Sequence, residues 1–245
     1  MNEAFDVAKH TPNKQSPNKQ NPGKHRRVHI ICEGQTEEMF VNLILQPHFD
    51  SHRIEVLPKL IGAAGHQGGN VGYKRVMNDI RHLLVNNPKA WVTTFIDFYG
   101  IYADFPGVAE AKKRHTARER HDEVVSSLYA QLAGDLGEEM VSRVVPYVQM
   151  HEFEGLLFSS PPDMAAGILQ PHLWKRFDKV LFDFETPEDI NDSYETAPSK
   201  RVQHIFRGYQ KVLHGSIIAR RIGLKRIRQA CPLFDEWLYQ IEQLP

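Results

Sequence analysis

The chain has 245 residues, 41% of them apolar and 24% charged, with 30 Lys and Arg balancing 30 Asp and Glu. This is the composition of an ordinary globular protein with one core and an extension, or two small domains. No stretch approaches the ~20 apolar residues that span a bilayer, and two cysteines without C-x-x-C spacing, Cys32 and Cys231, exclude a zinc-ribbon site or a disulfide framework. The zero net charge is unevenly spread: residues 1–27 carry six cations and two acids, so this segment is +4 and the remainder −4. A net-acidic body still binds nucleic acid where its cations cluster or where metal neutralises its carboxylates. The polar, proline-rich N-terminus lacks the apolar segment of a secretory signal, which predicts a cytoplasmic location.

Residues 1–24 contain a short repeat: Pro12-Asn13-Lys14-Gln15, Pro17-Asn18-Lys19-Gln20 and the looser Asn21-Pro22-Gly23-Lys24. Such residues bury too little surface to offset ordering entropy, and a disordered basic tail is expected. Val28 to Cys32 is an apolar, β-branched run ending at Glu33-Gly34, as a buried strand does. Thr36 is a plausible N-cap for a helix from Glu37 to about Phe49, with Glu37 and Glu38 in the first turn, where the helix dipole favours them. Arg53 to Leu57 reads as a second strand, and Gly62 to Gly72 as a glycine-rich loop that fits neither the Walker pattern nor G-x-G-x-x-G. A helix follows from Tyr73 to Val85, with Val76, Ile80, Leu83 and Leu84 on one stripe.

Trp91 to Ile96 predicts a third strand stopping at Asp97, and residues 117–132 a further helix. Val144 to Met150 predicts a fourth strand that ends at His151-Glu152-Phe153-Glu154. After Pro161 only helices are expected, the best at Ser199 to Leu213, Ser216 to Arg221 and Leu233 to Leu244. Strands alternating with helices predict an α/β fold with a mostly parallel sheet flanked by helices. The division is a tail over 1–26, a core over 27–160 and a helical C-terminal extension over 161–245.

Ligands bind beyond the C-terminal ends of the strands in open parallel sheets. Three predicted strands end in acids: Glu33, Asp97, and the pair Glu152 and Glu154, which strand alternation would put on one face. Carboxylates gathered in this way need a counter-ion, or their pKa values rise. Hard oxygen ligands suit Mg²⁺ or Mn²⁺, which accept a substrate phosphate and activate water.

The same residues carry a family resemblance. Cys32-Glu33-Gly34-Gln35-Thr36-Glu37 resembles the strand-end Glu-Gly motif of Toprim domains, found in topoisomerases, bacterial primases and the overcoming-lysogenization-defect nucleases. The chain is more closely similar to a bacterial domain of unknown function assigned to the Toprim-like group. This is seen at Thr93 to Gly100, Asp104 to Gly107, His151 to Phe158, Ile190 to Asp192, Glu195 to Arg201 and His214-Gly215, so that the likeness covers about residues 28–242. It implies a Toprim-like, Rossmann-like sheet. It also implies a metal-dependent nuclease of DNA or RNA with catalytic Glu33, Asp97 and Glu154. The implied metal set is Glu33, Glu37, Asp97, Asp104, Glu152 and Glu154, around Mg²⁺ or Mn²⁺. Tyr99 stands where the Asp-x-Asp motif of Toprim domains has its second aspartate, which puts two-metal chemistry in question. Relatives imply a role in anti-phage defence under a separate ABC or SMC-like ATPase. A non-catalytic interaction module and a hydrolase of small nucleotides are the alternatives.

Lys200 and Arg201 begin a predicted helix, and a helix N-terminus with two cations suits phosphate. His214 is a further candidate phosphate contact, and His151 a candidate acid–base group. Arg220, Arg221, Lys225, Arg226 and Arg228 alternate with apolar residues; such a face could track a nucleic-acid backbone, and it reads in preference as the solvated side of an amphipathic helix. No membrane contact is expected.

Overall fold

The computed structural model describes residues 26–62, 71–191 and 194–245. The expected tail up to residue 25, most of the glycine-rich loop, and Asp192 in the resemblance lie outside these residues. Among these residues five strands, β1 (Arg26–Cys32), β2 (Ile54–Leu60), β3 (Trp91–Asp97), β4 (Val144–Val145) and β5 (Val148–Gln149), form one parallel sheet. Its order is β2-β1-β3-β4, with β5 also pairing with β3.

The helices are α1 (Gln35–Phe40), which runs through a π turn (Val41–Leu45) into α2 (Gln46–Ser51), then α3 (Tyr73–Asn86), α4 (Val108–Ala111), α5 (Ala117–Leu136) and α6 (Glu138–Val141). The C-terminal part adds α7 (Glu154–Leu157), α8 (Pro161–Gly167), α9 (Trp174–Leu181), α10 (Pro198–Ile205), α11 (Lys211–Ile222), α12 (Leu224–Ala230) and α13 (Pro232–Glu242). The alternating α/β pattern is therefore present, as is the switch to helices alone. Among the described residues no helix is long and apolar enough to cross a membrane.

Strand alternation divides the core in two. Ile30, Cys32 and Phe95 face one layer with α1, the π turn and the C-terminal helices. Ile31, Val92 and Ile96 face the other, against α3 and α5. The helices after Pro161 thus cover one face of the sheet and share its core.

Three elements differ from expectation for identifiable reasons. The strand expected over Val144–Met150 is two short pieces, because Pro146 has no N–H to give the ladder. Side chains close the gap: Thr93 Oγ1 donates to the Val145 carbonyl, and Thr94 Oγ1 donates to that of Tyr147 at 2.7 Å while accepting from its N–H at 2.9 Å. The helix expected over Ser199–Leu213 is broken into α10 and α11 by the extended residue Phe206 and the turn through Gly208. Gly34, not Thr36, caps α1; Thr36 lies buried inside its first turn.

Candidate metal centre

β1 and β3 are parallel neighbours in register, Cys32 opposite Phe95, so their C-terminal ends open onto the same edge of the sheet. Glu33 follows β1 directly, and Asp97 is the last residue of β3. Glu33 Oε2 accepts the Asp97 N–H at 3.0 Å, which fixes the first carboxylate over the second strand end. The chain makes room for it at Gly100: a Cβ there would stand 2.3 Å from both Glu33 oxygens. Glu37 lies in the first turn of α1, buried, and its Oε2 accepts the Gly34 N–H at 2.9 Å.

Asp97 is buried, and its Oδ1 has no hydrogen-bond partner among the described residues. An orphaned buried carboxylate oxygen is costly and rare. Burial, followed by the charges of Glu37 and Glu33, pushes the Asp97 carboxyl well above the usual range. Burial also raises Glu33, and burial with the Glu33 charge raises Glu37 to about 7.

The third strand end arrives differently from the sequence expectation. β5 stops at Gln149, and His151 takes a left-handed backbone, φ 66°, that turns the chain into α7. Glu152 and Glu154 therefore meet through a turn rather than by strand alternation. Glu152 Oε2 accepts the Ser199 N–H at 2.8 Å, and Oε1 lies 3.6 Å from Lys211 Nζ. Glu154, only 1% exposed, accepts from Lys211 Nζ at 3.2 Å and from the Tyr209 hydroxyl at 3.3 Å. Burial raises Glu154 to about 7 despite Lys211. Burial opposes the Lys211 charge, but Glu154, Glu152 and Asp97 outweigh it and hold its pKa above the ordinary lysine value.

Five of the six candidate metal ligands thus lie near enough for their charges to act on one another, but among the described residues no three of them bring carboxylate oxygens within 4.8 Å of one another. The sixth, Asp104, is exposed in the turn before Phe105 and takes no part in the contacts that hold the group together. The other candidates have different partners. The N-terminus of α10, where Lys200 and Arg201 lie, receives an anion from the protein itself, the Glu152 carboxylate at Ser199. Arg201 Nε donates to the Thr196 carbonyl at 2.6 Å, and its guanidinium lies over the Phe184 ring. His214 Nδ1 accepts the Gln210 N–H at 2.8 Å, capping α11. His151 is buried with its pKa lowered to about 4, first by burial and then by Arg120, and its Nδ1 faces Asn191 Nδ2 at 3.2 Å.

Lys211 and Tyr209 are the residues that sequence reasoning missed. Their signal was the carboxylates themselves, since a buried acid calls for a cation and a donor. By donor chemistry Glu33, Glu37 and Asp97 offer the oxygen ligands a hard divalent cation takes, one of them orphaned, although the three carboxylates do not close to within 4.8 Å of one another among the described residues. The grouping that does close to that distance among the described residues lies elsewhere. Ligand atoms of His48, His52 and Glu242 come within 4.8 Å of one another, but Arg228 already occupies Glu242 and stands 3.3 Å from His48 Nε2.

The chain belongs to a family described as a domain of unknown function, DUF4276, which matches residues 32–242. That span takes in all five interacting carboxylates and Lys211. Comparison with curated proteins and with solved structures gave no significant match.

Proposed function

We propose that this site is the divalent-metal centre of a Toprim-like nuclease that hydrolyses a phosphodiester in DNA or RNA. The observation that carries the reading is the buried Oδ1 of Asp97, unpartnered among the described residues and under the charges of Glu37 and Glu33, at the C-terminal edge of a parallel sheet. Glu33 and Asp97 would hold Mg²⁺ or Mn²⁺. A cation bound there polarises a phosphoryl oxygen and lowers the pKa of a bound water. Glu37, a carboxylate in the first turn of α1, would accept a proton from the attacking water once the cation keeps it ionised. Lys211 offers a fixed positive charge to the developing charge on the phosphate oxygens, and Glu154 and Tyr209 position it. One metal plus Lys211 agrees with Tyr99 at the position where a two-metal Toprim site has its second aspartate.

The setting follows from the resemblance alone: bacterial anti-phage defence, with a separate ABC or SMC-like ATPase as partner. The reading is tested by cleavage of labelled single-stranded and duplex DNA and RNA in Mn²⁺. Glu33→Gln and Asp97→Asn are each expected to lower the rate at least about 100-fold while the fold is kept, the scale of losing a major electrostatic group in catalysis. Variants that cleave like the parent would refute it.

A further inference from the structure

Residues 196–234 contain nine Lys or Arg and neither Asp nor Glu, in a chain whose formal charge is zero. This stretch folds as α10, α11 and α12. α11 enters the carboxylate group at Lys211 and then runs for 12 residues, about 18 Å at 1.5 Å per residue. Along it Leu213, Ile217, Arg220 and Arg221 are exposed, and Lys225 and Arg226 continue the exposure on α12.

A merely solvated helix face usually intersperses acids among its cations, which gains i,i+4 pairs and avoids self-repulsion. Here a single carboxylate serves two arginines: Asp163 lies 3.4 Å from Arg221 and 3.6 Å from Arg226. Arg220 and Lys225 have no carboxylate within 4.0 Å among the described residues. The surface therefore keeps an unneutralised positive charge at Arg220 and Lys225, toward the end of α11 away from Lys211, and the exposed aliphatic side chains of Leu213 and Ile217 lie between.

We propose that the outer face of α11 and α12 is a track for the phosphodiester backbone of a nucleic acid, carried by the helix whose first residue, Lys211, joins the carboxylate site. The proposal deepens the nuclease reading and rests on it for the placement of the scissile phosphate. Charge complementarity selects a polyanion, and Leu213 and Ile217 add contact that does not depend on base sequence. The length of α11 corresponds to about five phosphates of one B-form strand at 3.4 Å each.

Fluorescence anisotropy with a labelled 20-base-pair duplex and a 20-nucleotide single strand, in EDTA so that nothing is cut, tests it. Arg220→Glu/Lys225→Glu changes exposed residues only. It is expected to weaken binding at least tenfold at 100 mM salt and to flatten the dependence of log K on log salt by about 1.8, two lost phosphate contacts at ~0.9 each. Lys112→Glu/Lys113→Glu makes the same change in net charge at the exposed end of α4 and is expected to leave affinity within twofold. The track is overturned if the wild type binds neither probe, if Arg220→Glu/Lys225→Glu binds like the wild type, or if both double variants weaken equally. A chain that binds through the track yet cleaves nothing refutes the nuclease reading alone. Cleavage that Arg220→Glu/Lys225→Glu leaves unchanged refutes the track alone.

Discussion

The sheet edge and the C-terminal helices contribute to the same site in opposite ways. β1 and β3 deliver Glu33 and Asp97 by the geometry of neighbouring parallel strands, and the Glu33 carboxylate closes the approach by accepting the backbone N–H of Asp97. The helices deliver Lys211 and Tyr209 across more than 50 residues of chain, through side-chain contacts with Glu154. One half is built by register and the other by packing. The first gathers negative charge, and the second supplies the cation that makes the gathering tolerable.

The contrast is broken most severely at Gly100. An alanine Cβ there meets the Glu33 carboxylate, the movable end of a side chain, so the fold survives but Glu33 is pushed off the Asp97 N–H. Gly100→Ala is expected to weaken Mn²⁺ binding at least tenfold, read by calorimetry, while costing about 1 kcal/mol of stability in denaturant unfolding. Unchanged metal affinity would mean that Glu33 is not a ligand.

Lys211→Met probes the other half. It removes the ammonium beside Glu154 and Glu152 and is expected to lower cleavage about tenfold to 100-fold, with weaker effects on substrate affinity. Because Lys211 is 44% exposed, the loss of stability is screened and is expected to be about 1 kcal/mol. Adding Glu154→Gln, which removes the uncompensated acid, should restore the stability but not the rate. If the double variant regains activity, Lys211 serves the fold and not the chemistry.

Sequence made the first half legible and hid the second. An apolar run ending in an acid is a local pattern, visible at Ile31-Cys32-Glu33 and at Phe95-Ile96-Asp97. Lys211 has no such pattern. Read from periodicity it falls inside one long helix, Ser199–Leu213, and only the break at Phe206–Gln210 makes it the first residue of α11, where it can turn toward Glu154. The pair Glu152 and Glu154 was legible as residues but not as geometry, because Pro146 ends the strand early and His151 turns the chain.

The smallest expected effect tests how the halves are joined. Trp237 of α13 stacks on Tyr147 at 4.5 Å, and its Nε1 donates to Thr93 Oγ1 in β3 at 2.8 Å. Thr93→Val removes that acceptor and the bond to the Val145 carbonyl. A cost of about 1–3 kcal/mol in chemical unfolding is expected, with Mn²⁺ affinity unchanged. A loss of metal binding would show that the sheet edge depends on the helices after all.

The titration of the site supplies the most direct test. Without metal, Glu37 and Glu154 hold their protons up to about 7, whereas an unfolded chain releases them near 4.5. The folded state thus binds more protons across that window, and its stability falls as pH rises through it. A bound cation favours the ionised carboxylates and reverses the trend, releasing protons as it binds. Calorimetry of Mn²⁺ binding to the wild type and to Asp97→Asn, at pH 6 and at pH 8, measures this. The carboxylate site predicts saturable binding to the wild type that is stronger at pH 8, releases protons at pH 6, and is lost in Asp97→Asn. Equal binding by both proteins, or none by either at pH 8, would contradict it.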